Sequence, residues 1–155
     1  MLVDKNLLSD NSKIYIFPSN RKLYPKEIPL IKVKMETFLK EISKIDLAFE
    51  IQYDRFLILL VSHETPLNME QNDALVNLIQ QFEKEYKITL LDKVNVCFKQ
   101  GEFVQLKEMN AFKKLIKSKG VSKKTIIFNN LITTKSEYDC CWETPAEDSW
   151  ISHYF

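Results

Sequence analysis

Apolar residues recur along the first hundred positions with two periods, one typical of helices and one typical of strands. In segments 28–42 and 75–86 the apolar positions return at three- and four-residue steps, which predicts two amphipathic helices. Pro29 is placed to begin the first helix, since a residue there needs no backbone N–H. Asn68 and Gln71 have the spacing of a capping box, so the second helix is predicted to begin just after Asn68.

Strand-like segments surround these helices. The four segments with strand character are 14–17, 47–53, 56–61 and 94–98. Segment 56–61 is apolar throughout, which predicts a central strand buried on both faces. Asp54 and Arg55 precede it and are predicted to form the turn of a hairpin. The resulting order, strand, helix, strand, strand, helix, strand, is the βαββαβ order of a ferredoxin-like fold. The predicted class is therefore α+β, with residues 1–100 as the ferredoxin-like part.

Residues 101–155 are predicted to extend this part within a single domain covering 1–155. Gly101 suits the turn of an added β-hairpin, and the helical period of segment 109–116 predicts a short helix. Gly120 is predicted to stop that helix in a left-handed conformation. Segment 125–128 is β-branched and apolar, which predicts a further strand. Beyond it the periodicity ends, and the aromatic segment 138–155 is predicted to be a tail packed on the body.

Composition excludes several classes of function. The 155 residues include only two glycines, Gly101 and Gly120, and neither begins a phosphate-binding P-loop or a dinucleotide fingerprint. The longest apolar run has six residues, too short for membrane insertion, and the first residues carry no signal segment. We therefore expect a cytoplasmic protein that uses no cofactor and no metal.

The cysteines and the charges fit the same expectation. Cys97 stands alone and Cys140 adjoins Cys141, so all three are predicted to be free thiols in a reducing compartment. Segment 113–124 holds six lysines and no acid, which leaves nucleic-acid binding as one alternative. Only two of the 22 basic residues are arginine, however, and forked phosphate recognition favours arginine. A protein partner is the preferred prediction.

Candidate functional residues concentrate near the C-terminal end. Asp148 lies close to Ser149 and His153, but no flanking glycines present a nucleophile, so no catalytic set is predicted. The two tryptophans are interpreted either as buried supports of the tail or as exposed anchors for a partner. The candidate binding residues are Arg21, Asn129, Asn130, Lys135, Trp142, Asp148 and Trp150.

Two further expectations concern these candidates. Arg21 is expected to pair with an acid of the tail, and the asparagines are expected to bond exposed backbone. The leading hypothesis is a non-catalytic protein that contacts another protein. The alternative is a small-molecule-binding protein or enzyme with a closed polar pocket around Asn129, Asn130 and Arg21.

Several segments together carry a family resemblance. They are 19–23 (SNRKL), 50–56 (EIQYDRF), 125–131 (TIIFNNL), 133–135 (TTK) and 142–150 (WETPAEDSW), followed by Ser152 and Phe155. The chain resembles a family of small uncharacterised bacterial proteins often labelled "ABC transporter ATPase". That label implies ATP hydrolysis, but this sequence contains no P-loop, so we expect no such activity. The resemblance implies no assigned active-site residues.

Overall fold

The computed structural model describes residues 1–42, 44–92 and 94–155, and it has two antiparallel sheets flanked by helices. The strands are β1 (Lys13–Pro18), β2 (Leu47–Gln52), β3 (Phe56–Val61), β4 (Val96–Gln100), β5 (Phe103–Lys107), β6 (Ile126–Phe128) and β7 (Glu143–Pro145). The helices are α1 (Glu27–Lys40), α2 (Met69–Tyr86), α3 (Met109–Lys117) and α4 (Lys135–Cys141), with short 3-10 turns at Lys5–Leu7, Ala146–Asp148 and Ser152–Tyr154. The predicted α+β class is confirmed.

The first sheet has the strand order β1-β3-β2, and β3 is its central strand. Alternate residues of β3 point to opposite faces: Leu57 and Leu59 pack with α1 and α2, whereas Phe56 and Ile58 face the second sheet. Every residue of β3 is buried, which confirms the prediction made from its unbroken apolar run.

The second sheet has the order β5-β4-β6-β7 and packs between the first sheet and α3. Along β4, Cys97 faces the first sheet, while Phe98 packs on the other side against Phe112 of α3. The chain therefore folds into four layers: α1 with α2, the first sheet, the second sheet, and α3 with the last residues of the chain. Residues from both sheets meet in the middle of this arrangement.

The predicted order of elements is confirmed through β4, but the ferredoxin-like sheet is not confirmed. In that topology β4 would lie beside β1, whereas here it pairs with β5 and β6. The free edge of β1 is instead contacted by a segment from far along the chain. The Ile14 N–H donates to Thr133 O at 3.0 Å, and the Lys135 N–H donates to Ser12 O at 2.8 Å. These bonds occupy the edge that a fourth strand would need.

Helix boundaries follow local sequence signals in one case and depart from them in two. The capping box of α2 is confirmed: Asn68 and Gln71 exchange side-chain-to-backbone hydrogen bonds, each 2.8 Å long. Helix α1 begins at Glu27, two residues before Pro29. The prediction for Gly120 is wrong, because Lys119 takes the left-handed conformation with φ of 61° after α3. Gly120 instead donates its N–H to Leu115 O at 2.8 Å.

The last part of the chain is more regular than predicted. Residues 138–155 contain most of α4, the whole of β7 and two 3-10 turns, where the sequence showed no periodicity. Strand β7 pairs with β6 and becomes the edge of the second sheet. Ala146 and Ile151 are fully buried against β4 and α3. The tail is packed on the body, as predicted, and it also completes the sheet and the core.

The prediction of three free thiols is wrong for two of them. A disulfide joins Cys140 and Cys141 at the end of α4, with their Cα atoms 3.8 Å apart. Most disulfides span about 4.4–6.8 Å between Cα atoms, which is why adjacent cysteines were expected to stay unpaired. Cys97 is a buried free thiol, and burial raises its pKa to about 11. The disulfide removes the cysteine argument for a reducing compartment, so a cytoplasmic location stays a prediction.

Candidate binding surface around Trp150

The two tryptophans of the C-terminal segment have different environments. Trp142, directly after α4, is buried, and its Nε1–H donates to Asn130 Oδ1 at 3.0 Å. Asn130 is also buried, and its Nδ2 donates to Cys97 Sγ at 3.4 Å. Trp142 is thus a support of the core, and Asn130 bonds side chains, not exposed backbone as expected. Trp150 is 41% exposed.

An aromatic cluster fixes the position of Trp142 between the sheets. Its ring lies 5.0 Å from Phe56, 4.9 Å from Phe128 and 5.2 Å from Tyr138, measured between ring centroids. The Asn129 N–H donates to Trp142 O at 2.7 Å, which ties the segment after β6 to the start of β7. Asn129 and Asn130 are therefore held by bonds to a buried residue. The side chain of Asn129 also accepts a hydrogen bond from the exposed Leu131 N–H at 3.2 Å, so the expectation that it bonds exposed backbone is confirmed for Asn129. This framework forms the floor beneath Trp150 and its neighbours.

An apolar pocket of about 240 Å³ lies beside Trp150, and we call it the apolar pocket. It is lined by Val94, Asn95, Phe128, Asn130, Leu131 and Trp150. Three of these apolar side chains are strongly exposed: Val94 by 77%, Leu131 by 63% and Trp150 by 41%. They come from separate parts of the chain, and folding brings them together. Exposed apolar side chains grouped in this way mark contact surfaces more often than scattered ones do.

A second, more polar cavity of about 390 Å³ shares Trp150 with the apolar pocket, and we call it the acidic cavity. It is lined by the disulfide and by Asn129, Glu143, Asp148 and Ser149, among others. The Asp148 carboxylate is exposed and has no hydrogen bond or ion pair within residues 1–42, 44–92 and 94–155. It is available to a basic group of a ligand.

Glu143, the other acid of this cavity, already has partners. It forms an ion pair with Lys99, and it accepts a hydrogen bond from Tyr53 Oη at 2.8 Å. Burial disfavours the charged form of Lys99, but the contacts with Glu143 and Tyr53 outweigh that effect and raise the lysine pKa. Burial raises the pKa of Tyr53, so its hydroxyl stays protonated and donates to Glu143. Glu143 therefore links the two sheets.

Arg21 does not join this surface, and the expectation that it pairs with an acid of the tail is wrong. Its Nη1 and Nη2 donate to the two carboxylate oxygens of Glu27, both at 2.9 Å. Nη2 also donates to Tyr86 O at 2.8 Å. The sequence showed no reason to prefer Glu27, which begins α1 only six residues away. A closed polar pocket shared by Asn129, Asn130 and Arg21 does not form among the described residues.

Lys135 is also a structural residue. It is buried, and its Nζ lies 3.1 Å from an oxygen of Asp139, one turn along α4, and 3.8 Å from one of Asp10. Its charge is therefore compensated within the chain. The seven predicted residues divide accordingly: Asn129, Asn130, Trp142, Asp148 and Trp150 form or support the surface, whereas Arg21 and Lys135 lie in ion pairs elsewhere.

The lysine-rich segment 113–124 lies on α3 and the loop that follows it. Lys114 and Lys117 stand in the last turn of α3, where a positive charge is favoured by the helix dipole. Lys113 lies over the ring of Tyr154, with 4.4 Å between Nζ and the ring centroid. The other lysines of the segment are exposed. Nucleic-acid binding through this segment stays a prediction.

Sequence reasoning missed Val94 and Leu131. Val94 was assigned to a strand, but β4 begins at Val96 and Val94 projects outside it. Leu131 follows two asparagines in a segment without periodicity, and no local signal distinguished it. Their shared role depends on the packing of distant segments.

Comparison of the chain with protein-family models, curated proteins and solved structures finds no match. None of the helices in the described part of the chain combines the length and the apolar character needed to span a bilayer. Within the same residues, no group of three or more His, Cys, Asp or Glu side chains is arranged to hold a metal ion.

Proposed function

We propose that this protein is a non-catalytic binding module that receives an apolar side chain of a protein partner beside Trp150. The observation that carries this proposal is the convergence of Val94, Leu131 and Trp150, all exposed, on one apolar pocket. Tryptophan is enriched among the residues that dominate binding energy at protein interfaces. The exposed indole is therefore the central anchor of the proposed contact.

The size of the apolar pocket favours a side chain over a whole cofactor. Pockets that enclose drug-sized ligands have volumes of about 300–1,000 Å³. The apolar pocket has about 240 Å³ and is open to solvent beside exposed residues. One aliphatic or aromatic side chain of a partner would fill it and cover the neighbouring Leu131.

The floor of the pocket is preorganised. Phe128 and Asn130 are buried, and Asn130 is held through both polar atoms of its side chain, by Trp142 on one side and Cys97 on the other. A rigid floor reduces the entropy lost on binding, because few groups need to be ordered by the partner. The exposed residues around the apolar pocket then determine the affinity for the partner.

Charge indicates the chemistry of the partner. Segment 136–155 carries five acids and no lysine or arginine. Two of them, Glu147 and Asp148, are exposed near Trp150. We infer a partner segment that places an apolar residue in the apolar pocket and a lysine or arginine near Asp148.

A selection from a random peptide library displayed on phage tests this proposal. Peptides retained by the wild-type protein should share an apolar residue close to lysine or arginine. Trp150→Ala should lower the affinity for a selected peptide by about 10-fold or more, since anchor residues carry most of the interface energy. Asp148→Asn should lower the peptide affinity about two- to five-fold, and the difference in affinity from the wild type should shrink at high salt.

Phe103→Ala is the matched control, because Phe103 is another exposed aromatic residue and lies outside both cavities beside Trp150. It should leave peptide affinity unchanged. A far-UV circular dichroism spectrum and a urea midpoint close to those of the wild type would show that each variant is folded. The proposal is wrong if no peptide is enriched, or if the selected peptides bind Trp150→Ala as tightly as the wild type.

A further inference from the structure

Arg55 is a buried cation without an acidic partner. It directly follows the turn between β2 and β3, and its residue surface is only 8% exposed. Its guanidinium makes one hydrogen bond within the described residues, from Nη1 to Val104 O at 2.6 Å. Nε is buried without a partner, and no carboxylate of the described chain lies within 4 Å to form an ion pair with it.

A cation in this position is unfavourable unless a negative group compensates it. Removing a charged group from water costs several kcal/mol, so buried charges in proteins are normally paired and hydrogen-bonded. Burial lowers the pKa of Arg55, which shows the same penalty, although arginine stays protonated in proteins. Nε is enclosed by protein atoms, so a ligand carboxylate would reach the guanidinium through Nη2, which makes no hydrogen bond within the described residues.

Arg55 lines a cavity of about 240 Å³ between the tips of the β2–β3 and β4–β5 hairpins. The other lining residues that matter here are Lys22, Tyr53, Asp54, Glu102 and Phe103. None of these residues lines the apolar pocket or the acidic cavity. Phe103 is an exposed aromatic residue at the opening, so the cavity combines a cationic interior with an apolar wall.

The backbone around this cavity is held in a demanding conformation. Tyr53 and Asp54 form the hairpin turn with φ angles of 55° and 51°, a region that bulky residues seldom occupy. Two backbone bonds support the turn from the loop after β1: the Ser19 N–H donates to Arg55 O at 3.0 Å, and the Leu23 N–H donates to Asp54 O at 2.7 Å. These contacts fix the backbone of Arg55 in place.

We propose that this cavity binds the carboxylate of a small organic monoanion, with Arg55 as its principal charge partner. Lys22 adds a second positive charge at the opening, and Phe103 and Tyr53 offer aromatic surface to an apolar group of the ligand. Asp54 and Glu102 line the same cavity and oppose an anion with more than one charge. This site is independent of the proposed peptide surface.

Binding of phenylacetate, followed by amide chemical shifts of the ¹⁵N-labelled protein, tests the proposal. Phenylacetate should shift the amides of residues 53–55 and 102–104 in a saturable way. Phenylacetamide has nearly the same shape without the charge and should bind about 10-fold more weakly or worse. Inorganic phosphate should bind more weakly than phenylacetate, because the two carboxylates oppose a dianion.

Three variants identify the charge partners. Arg55→Met should abolish saturable binding. Lys22→Gln should lower the affinity for phenylacetate about two- to three-fold, and Asp54→Asn should raise that affinity by a similar factor. These opposite signs would not arise if Arg55 only supported the fold, and both substitutions are at exposed positions, so they test the site even if Arg55→Met does not fold. Trp150→Ala should leave phenylacetate binding unchanged.

The proposal is overturned if phenylacetate gives no saturable shifts, or if phenylacetamide binds equally well. Tighter binding of inorganic phosphate would replace the monocarboxylate with a phosphate ligand and would also overturn it. A failed peptide selection would leave these results unaffected, because the two sites share no residue.

Discussion

Arg21 and Arg55 lie close to one backbone contact, the bond from the Ser19 N–H to Arg55 O, yet their surroundings differ. Arg21 donates to both oxygens of Glu27 and to Tyr86 O, and its guanidinium stacks 4.4 Å from the ring of Tyr24. Arg55 is more deeply buried and has one carbonyl as its hydrogen-bond partner in the described residues. Arg21 is paired with a carboxylate, whereas Arg55 has no carboxylate partner among the described residues and lies beside a cavity.

The two arginines therefore differ in the role that we assign to them: Arg21 supports the fold, and Arg55 is the residue proposed to bind a ligand. The hydrogen bonds of Arg21 hold the loop after β1 against α1 and the end of α2, and its charge is compensated by Glu27. The charge of Arg55 lies beside a cavity and retains unused donors. Sequence alone pointed to Arg21 as one of the candidate binding residues. The structure places Arg21 in an ion pair with Glu27, and the binding role that we propose falls to Arg55 instead.

The largest effect is expected from Arg21→Ala. This substitution leaves the buried Glu27 carboxylate with the Tyr24 N–H as its remaining polar partner among the described residues. We expect the free energy of unfolding to fall by about 2–3 kcal/mol, the cost typical of an uncompensated buried charge that keeps some solvent access. Urea denaturation, followed by circular dichroism, measures this fall in the free energy of unfolding.

Lys34→Ala is the matched control, because Lys34 forms an exposed ion pair with Glu85, 2.7 Å long, between α1 and α2. Exposed pairs contribute little, so this variant should unfold at nearly the wild-type urea concentration. A loss as large as that of Arg21→Ala would contradict the distinction between buried and exposed pairs.

The next effect depends on pH. The hydrogen bonds from Arg21 lower the pKa of Glu27, so the ionised carboxylate stabilises the fold above its ordinary pKa of 4.5. That contribution is lost as the pH falls through the lower, folded-state pKa. The free energy of unfolding of the wild type should exceed that of Glu27→Gln by about 2 kcal/mol at neutral pH, and the difference should shrink as the pH falls below 4.5 and through the lowered pKa of Glu27. Urea midpoints measured across this range would refute the assignment if the difference stayed constant.

The smallest effect is expected from Arg55→Met. Methionine keeps the unbranched apolar stem of the side chain, although it is shorter than arginine, and it removes the unpaired charge at the loss of the bond to Val104 O. Replacing a buried ionic group by an apolar one of similar volume is often neutral or stabilising. The free energy of unfolding should therefore change by less than about 1 kcal/mol in either direction. A loss comparable to that of Arg21→Ala would make Arg55 a structural residue.

Local patterns were sufficient for the elements of the first hundred residues. The capping box of α2 and the buried β3 involve signals within a few positions of each other, and both predictions are confirmed. The alternation that predicted β4 was read from position 94, two residues before the strand begins. Periodicity also carries no information about which strand β4 pairs with, because that depends on contacts from β5 and β6.

The candidate site was less predictable for related reasons. The tryptophans at 142 and 150 drew attention to the C-terminal segment, but the sequence did not show which of the two indoles is buried. That depends on Asn130 and on the ring of Phe56 in the other sheet. Arg55 was interpreted as a turn residue, because its burial requires Val104 of a distant hairpin. Segment 125–128 predicted β6 through its β-branched and apolar residues, and that prediction is confirmed, whereas β7 has three residues, too few for a clear period.

Strand β3 has a consequence for the unfolded and partly folded chain. Its six residues contain no charge, no proline and no glycine, which is the composition of segments that assemble into amyloid-like zippers. Both faces are covered only when the two sheets and the α1–α2 layer are in place. Arg55, immediately before it, acts as a gatekeeper whose charge opposes stacking of identical strands. The side chain for which we propose a ligand would then also oppose self-association of the unfolded chain.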